Sequence, residues 1–356
     1  TLIWQGVGTL SMPPALNTAP IETDCLVIGA GPAALFLIFE LGLLEISCHV
    51  VDVLPFKGGQ CMALYADKPI YDIPGIVRST GRELVDALLA QAAPFKAQFH
   101  LGQQITSIEQ QADARWLAVR SGGQAFLCKT MVIAAGVGAF TPRKLAHLDL
   151  APWEDKQVFY APTESVAHQN IVIYGGGEEA VQAALAGLAQ QAASLTLVYR
   201  RDKLEVEEHL LATFNQAVQE GQIQFKVGQI QSLSQSHLSL ASPDEHTEDI
   251  AYDQLWVLQG LSPQLGPVAD WGLDMQKKQI KVNTENFATS VTGIFAVGDV
   301  NTYPGKRKLI VSGFHEATLA AYGVAELVYP GQKIALEYTT ASPRLHKLLG
   351  VTDPSA

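Results

Sequence analysis

The fold is decided by one stretch near the start of the chain, Asp24-Cys25-Leu26-Val27-Ile28-Gly29-Ala30-Gly31-Pro32-Ala33-Ala34. Its apolar half predicts a buried parallel strand, and its Gly-x-Gly-x-x-Ala half predicts a tight turn into a helix. In such a turn the second glycine lets a pyrophosphate approach the backbone, and the helix N-terminus faces the phosphates with partial positive charge. The candidate contacts are Gly29, Gly31, Pro32 and Ala33.

A second predicted strand follows and ends in an acidic residue. Residues 48–52 read Cys-His-Val-Val-Asp, which places Asp52 about 20 residues after the turn. A carboxylate at this place can hold a ribose hydroxyl. Strand, turn, helix, second strand and acid together predict a dinucleotide-binding unit.

The same pattern recurs in the second half of the chain. Residues 171–174 predict a strand, Gly175-Gly176-Gly177-Glu178-Glu179-Ala180 repeats the turn, and a strand at 195–199 follows a helix. This second unit ends in Arg200-Arg201, which suit a ribose 2′-phosphate through charge-assisted hydrogen bonds. We therefore expect the first unit to hold FAD and the second NADPH. The candidate NADPH contacts are Gly175, Gly177, Glu178, Arg200 and Arg201.

Composition limits the function classes. The chain has 356 residues, 48% of them hydrophobic, and a formal net charge of −11. The length favours two domains or one large one, and the charge argues against a general nucleic-acid binder. No apolar run approaches the length of a membrane span, so no membrane association is expected. The first twenty residues lack the basic start and long apolar run of a signal peptide. Met12 is a candidate start, which would make residues 1–11 a vector-derived remnant.

Cysteine usage indicates a reduced, cytoplasmic protein. The four cysteines are scattered, and none forms a C-x-x-C pair, so neither a redox-active dithiol nor a zinc site is indicated. They are Cys25, Cys48, Cys61 and Cys128.

The remaining segments complete an α/β fold with two Rossmann-like, three-layer ββα dinucleotide-binding domains, the first discontinuous in sequence, and a C-terminal tail. Residues 102–133 and 222–252 predict antiparallel meanders. A buried strand at 293–299 ends in Asp299, a candidate for binding a polyol such as the flavin ribityl chain. A helix at 313–328 could direct its N-terminus at the flavin pyrimidine. The predicted domains are FAD-binding at 1–138 and 266–330, NAD(P)H-binding at 139–265, and a tail at 331–356.

The motif order resembles the flavoprotein disulfide reductases, especially the low-molecular-weight thioredoxin reductases. Those enzymes carry C-x-x-C just before the second glycine turn, where residues 160–168 here read Tyr-Ala-Pro-Thr-Glu-Ser-Val-Ala-His. Dithiol chemistry is therefore not available. A closer resemblance is to the thioredoxin-reductase-like ferredoxin–NADP reductases, through the block Gly58-Gly59-Gln60-Cys61-Met62-Ala63-Leu64-Tyr65-Ala66-Asp67-Lys68-Pro69-Ile70-Tyr71-Asp72.

This resemblance implies an FAD enzyme that passes electrons between NADPH and a ferredoxin or flavodoxin, by hydride transfer to flavin N5 and two one-electron transfers. It implies that Tyr65 stacks on one flavin face, that Tyr338 lies over the other, and that Thr340 touches the flavin. It also implies a homodimer in which the tail covers the partner's flavin. Further implied FAD contacts are Asp52, Gln60, Asp72, Ile105, Phe140 and Asp299.

Departures from the family pattern keep two alternatives open. Glu205 stands where related enzymes usually have a third arginine, and Glu178-Glu179 replaces a commoner Asp-Ser pair. These acids favour an NADH-dependent flavin reductase or diaphorase, or a redox-responsive regulatory flavoprotein with a weakened nucleotide site. For acceptor docking we expect a local basic surface formed by Lys57, Lys68, Arg143, Lys144, Lys306, Arg307 and Lys308.

Overall fold

A computed structural model describes residues 19–351, with backbone alone at 139–141 and 261–264. The chain divides into two compact units. Unit 1 contains the residues up to Ala139 and from Gln264 onward, and unit 2 spans Phe140–Pro263. The two connecting segments, Ala139–Pro142 and Leu261–Gln264, pair as a two-stranded sheet.

The first part of unit 1 builds a mainly parallel sheet in the order β5-β2-β1-β8-β7-β6. Its strands, with a separate β3–β4 hairpin, are β1 (Ile21–Ile28), β2 (Cys48–Val51), β3 (Pro69–Ile70), β4 (Ser79–Thr80), β5 (Gln98–His100), β6 (Ile105–Gln110), β7 (Trp116–Arg120) and β8 (Ala125–Ile133). Its helices are α1 (Pro32–Leu43), α2 (Gln60–Tyr65), α3 (Gly81–Ala92) and a 3-10 turn at Ala93–Phe95.

Side chains alternate along β1, so successive residues pack in two different cores, one on each face of the sheet. Cys25 and Val27 pack among the helices on one face, whereas Leu26 and Ile28 pack on the other face with Trp116 of the meander. Every one of these residues is almost fully buried. The central strand is therefore apolar throughout, as expected for a parallel strand covered on both faces.

Unit 2 repeats the arrangement around a parallel sheet in the order β10-β17-β11-β12-β13, beside an antiparallel sheet of β14, β15 and β16. Counting the connecting strand Ala139–Pro142 as β9, its strands are β10 (Val158–Phe159), β11 (Asn170–Tyr174), β12 (Ser194–Tyr199), β13 (Gln224–Val227), β14 (Gln229–Leu233), β15 (His237–Ala241), β16 (Thr247–Ala251) and β17 (Gln254–Val257). Its helices are α4 (Glu178–Ala189) and α5 (Glu208–Gln219).

The chain then returns to unit 1. Counting Leu261–Gln264 as β18, the strands are β19 (Met275–Gln276), β20 (Gln279–Lys281), β21 (Ile294–Ala296) and β22 (Asn301–Thr302). β21 pairs with β8 and extends the parallel sheet. The helices are α6 (Ile310–Val328), α7 (Pro343–Leu349) and 3-10 turns at Gly266–Asp270 and Gly298–Val300. Between residues 19 and 351, no helix combines the length and apolar character needed to cross a membrane.

Candidate functional site

The first glycine turn joins β1 to α1 and presents bare backbone. Gly29 has φ +108°, and a Cβ there would lie 2.4 Å from the Ala134 carbonyl oxygen, so only glycine fits. Gly31 is the N-cap of α1, and Pro32 starts the helix. A glycine has no side chain with which to cap, so the first-turn N–H groups of α1 can bind an anionic ligand.

A second glycine pair approaches this turn from the loop before α2. The Gly58 N–H donates to the Ala30 carbonyl over 2.8 Å. A Cβ on Gly59 would lie 2.9 Å from the Cα of Gly31, so the two backbones touch without side chains between them. Gln60 begins α2, and its Nε2 atom lies 3.0 Å from the Cβ position of Gly136. The geometry forms a cradle that side chains would fill, which fits a pyrophosphate.

Asp52 lies beside the glycine turn, as the motif predicts. Its carboxylate accepts hydrogen bonds from the N–H of Ala30 (2.6 Å) and the N–H of Leu54 (2.8 Å). Burial raises the pKa of this carboxyl group. Each carboxylate oxygen has two lone pairs, so both can still accept from ribose hydroxyls.

The 3-10 turn that contains Asp299 approaches the start of α1. A Cβ on Gly298 would lie 3.4 Å from the Cβ of Ala33, and a Cβ on Gly313, in the first turn of α6, would lie 3.1 Å from it. Glycines therefore let α1, α6 and the Asp299 turn converge. The positive helix N-termini and a carboxylate suit the phosphate and polyol parts of FAD.

Tyr65, at the end of α2, lies near Asp299 and Asp72. The Cys61 thiol donates to the Tyr65 hydroxyl over 3.5 Å. Burial first, then the bond to Cys61 and the charges of Asp299 and Asp72, raise the pKa of Tyr65. Tyr65 therefore stays a neutral phenol suited to stacking. Burial raises the pKa of all four cysteine thiols, which keeps them protonated and unreactive.

One further predicted FAD contact, Ile105, lies in the chain just after a backbone hydrogen bond to Asp52. The Gln103 N–H donates to the Asp52 carbonyl over 2.9 Å, and Ile105 follows two residues later with its side chain buried. Phe140 was predicted to contact FAD, but its side chain lies outside the described residues.

Tyr338 and Thr340 are not brought to the glycine turn of their own chain. Both are exposed, and Tyr338 lies in the turn before α7, where its carbonyl accepts from the N–H groups of Ala341 and Ser342. Arg344 of α7 donates to the Leu43 carbonyl at the C-terminal end of α1. The 12 residues of α1 make it about 18 Å long, and the glycine turn lies at its other end.

The second glycine turn, in unit 2, is equally constrained. A Cβ on Gly175 would lie 2.1 Å from the Leu258 carbonyl oxygen, and one on Gly176 would lie 2.3 Å from the Tyr199 ring. Gly177 is the N-cap of α4, and Glu178 stands in the first helical turn. This turn also offers uncapped N–H groups, but with an acidic residue beside them.

An open pocket of about 680 Å³ lies at the end of β12. Arg201 pairs with Glu205 over 2.7 Å, and the Glu205 N–H donates to the Gly176 carbonyl over 2.8 Å. Glu205 is thus fixed between the glycine turn and an arginine predicted to bind phosphate. The pocket is lined by Arg200, Arg201, Asp202, Lys203, Glu205, Val227 and Pro243.

Sequence reasoning missed a buried charged pair and misassigned one of its members. Lys306 was predicted to be a docking lysine, which is wrong, because only 7% of its side chain is exposed and it pairs with the fully buried Glu316. The available signal was in α6, where Glu316 is the one acidic residue on a stripe of small residues. That stripe comprises Gly313, Ala317, Ala320 and Ala321.

Two glycine-turn units, the first discontinuous in sequence, define the class of two-dinucleotide-binding oxidoreductases. Residues 23–322 match the pyridine nucleotide-disulphide oxidoreductase family. The chain is 50% identical over 345 residues to a ferredoxin–NADP reductase of Albidiferax ferrireducens, covering 94% of this chain and 98% of that protein. It is 48% identical over 350 residues to one from Polaromonas sp., covering 96% of each. The chain therefore belongs to the pyridine nucleotide-disulphide oxidoreductase family, in the group of these ferredoxin–NADP reductases.

Solved structures share the fold. Thioredoxin reductase of Lactococcus lactis matches with a TM-score of 0.58 and 23% identity, over 86% of this chain and 99% of that one. Bacillithiol disulfide reductase of Staphylococcus aureus matches with a TM-score of 0.64 and 14% identity, over 85% of this chain and 98% of that one. The predicted α/β fold class is thereby confirmed.

Proposed function

We propose that this protein is an FAD-dependent oxidoreductase that passes electrons between NADPH and a ferredoxin, with flavodoxin as an alternative acceptor. The observation that carries the proposal is the match at 50% identity to a ferredoxin–NADP reductase along nearly the whole of both chains. The absence of cysteine from residues 160–168 agrees with it, because dithiol reduction would need a C-x-x-C pair there.

The residues of unit 1 fit FAD. The α1 N-terminus and the Gly31–Gly59 contact would bind the pyrophosphate, Asp52 the adenosine ribose, and Asp299 the polyol chain. Bound FAD would accept hydride at N5 and release electrons singly. Tyr65 would orient the ring by stacking and exclude water from it, and its raised pKa keeps it from acting as a base.

The residues of unit 2 support NADPH as the donor. The second glycine turn offers N–H groups for a pyrophosphate, and Arg200 and Arg201 line a pocket wide enough for a ribose phosphate. Tyr199 covers Gly176 and fixes the turn. Glu178 would lie beside the bound nucleotide.

A second candidate function, NADH-dependent flavin reduction, is favoured by one specific contact. The Glu205 carboxylate is already ion-paired with Arg201, so a 2′-phosphate must compete with it for the guanidinium. A carboxylate in this pocket also suits a free ribose hydroxyl.

Assembly and location belong to the same proposal. The exposed Leu336 and Tyr338 of the tail would cover the flavin of a second subunit in a homodimer. Four free, buried thiols agree with a reducing cytoplasm.

The deciding experiment is spectroscopic and kinetic. We expect the purified protein to be yellow and to release FAD, not FMN, on denaturation. Oxidation of NADPH should exceed that of NADH with ferricyanide and then with ferredoxin as acceptor. Faster oxidation of NADH would favour the diaphorase, no turnover with either nucleotide would favour a regulatory flavoprotein, and a colourless protein that ignores added FAD would refute all three.

A further inference from the structure

Glu316, in α6, is a fully buried carboxylate with four hydrogen-bond donors. Its Oε2 atom accepts from the Gly298 N–H (2.7 Å) and from Asn301 Nδ2 (2.9 Å). Its Oε1 atom accepts from the Tyr303 hydroxyl (2.9 Å) and from Lys306 Nζ. A carboxylate with this many donors is held in a single orientation.

Glu316 and Lys306 together bind both backbone polar groups of Gly298. Gly298 donates its N–H to Glu316, and its carbonyl accepts from Lys306 Nζ over 2.9 Å. We call Glu316 and Lys306 the Gly298 clamp. Asp299 comes next in the chain, and its own carbonyl accepts from Gln279 Nε2 over 3.1 Å. The backbone around Asp299 is therefore fixed on each side, while the residue itself remains only partly buried.

We propose that the Gly298 clamp is a positioning device for flavin binding, which sets the Asp299 turn against the N-termini of α1 and α6. This inference rests on the proposed FAD site. Stability alone explains the pair poorly, since a buried ion pair can often be replaced by apolar residues without loss. Apolar side chains, however, could satisfy neither the N–H nor the carbonyl of Gly298. With φ +79° and Ala33 against it, Gly298 has little freedom to turn these groups elsewhere.

The test measures FAD affinity of the folded apoprotein, separately from its thermal unfolding. Glu316→Gln places an amide NH2 among donors, and Lys306→Met removes the donor to the Gly298 carbonyl. Each should raise the FAD Kd about 10- to 100-fold, the range for losing a hydrogen bond to a charged group. Lys308→Met, the same change at an exposed lysine two residues along, should leave the Kd within about twofold of wild type.

A double variant separates positioning from support of the fold. Glu316→Leu with Lys306→Met leaves no unpaired buried charge, so the apoprotein melting temperature should lie above that of either single variant. It should stay below that of wild type, because the N–H and carbonyl of Gly298 still lack partners. The FAD Kd should stay raised, because Gly298 still lacks both partners. Tyr303→Phe removes one donor to Glu316 and keeps the aromatic ring, and it should raise the FAD Kd about 2- to 10-fold. If the other variants do not fold, this milder variant provides the test.

The outcomes are distinct. Recovery of FAD affinity together with stability in the double variant would overturn the positioning role, as would an unchanged Kd in folded single variants. A wild-type chain that binds no FAD would overturn the proposed function, and this inference with it.

Discussion

We propose that Glu205 decides between NADPH and NADH as the bound nucleotide. It is fixed by its backbone to the second glycine turn, and its carboxylate neutralises Arg201, while Arg200 remains exposed in the same pocket. Nucleotide choice therefore depends on whether a 2′-phosphate displaces this carboxylate from the guanidinium.

Two substitutions should change binding of 2′,5′-ADP in opposite directions. Arg200→Ala should weaken it by about 1.5–3 kcal/mol, through loss of charge-assisted hydrogen bonds. Glu205→Gln should strengthen it by up to about 1 kcal/mol, because the pair it breaks is exposed. Calorimetric titration with 2′,5′-ADP and with 5′-AMP measures both. Equal effects on the binding of the two ligands would show that these residues support the fold and do not recognise the 2′-phosphate.

Site residues whose role follows from a local sequence motif could be predicted. Gly29, Gly31 and Asp52 follow from the geometry of one turn and its neighbouring strand, and the structure places them together. The Lys306–Glu316 pair could not be predicted in this way. It depends on a helix and a loop meeting in three dimensions, and a lysine in a Gly-Lys-Arg-Lys run looks exposed in sequence.

For the secondary-structure elements, the sequence predicted the order of strands and helices but not every pairing partner or every helix start. Residues 102–133 were expected to form an antiparallel meander, and its last strand, β8, also joins the parallel part of the sheet. This strand pairs antiparallel with β7 at its start and parallel with β1 along its length. The block at 58–72 was used for its family resemblance alone, and the helix α2 that begins in it at Gln60 was not predicted. Pairing across the sheet decides such cases, and local propensity carries no information about it.

The tail illustrates the same limit. The family resemblance implied that the tail covers a second subunit. Ile334 nevertheless packs on the core of its own unit, and Leu345 is buried in α7, which contacts α1. Leu336 and Tyr338 are 63% and 67% exposed and have no such cover from the described part of the chain. The tail therefore contains a docked helix and, before it, an uncovered segment around Leu336 and Tyr338.

Removing the tail should affect the flavin without releasing it. The variant that lacks residues 332–356 should still bind FAD and should react faster with oxygen and small acceptors, because in the proposed homodimer the uncovered segment would no longer shield the flavin of a second subunit. Arg344→Ala, which breaks contacts to Glu45 and the Leu43 carbonyl, should give part of this effect. Lys347→Ala on the same helix is the matched control. Stopped-flow reoxidation and native mass measure the result, and identical spectra, rates and mass would exclude a covering role.

For the whole molecule, the net charge of −11 must be reconciled with an acidic partner. Ferredoxins are usually acidic, so docking requires a local positive surface against the mean repulsion. With Lys306 buried, Arg307 and Lys308 remain exposed on the loop that leaves the Gly298 clamp. Lys144, in unit 2, is paired with Glu154, and Lys57 of unit 1 lies with its Nζ atom over the Phe99 ring. We therefore propose that the Arg307–Lys308 loop is the main steering surface of unit 1.

The rate of ferredoxin reduction should therefore fall as salt is added. Between 0.01 M and 1 M ionic strength the screening length drops from about 30 Å to about 3 Å, which removes long-range steering. The double reversal Arg307→Glu with Lys308→Glu should lower the low-salt rate about tenfold or more and flatten its salt dependence, since steering multiplies association rates by 10 or more. Lys347→Glu, on α7 at the far end of α1, should change neither. Reduction of an uncharged quinone should be insensitive to salt in every variant, because it is not steered. A ferredoxin rate that stays level across this range in the wild-type enzyme would show that docking depends on apolar contact and not on this basic loop.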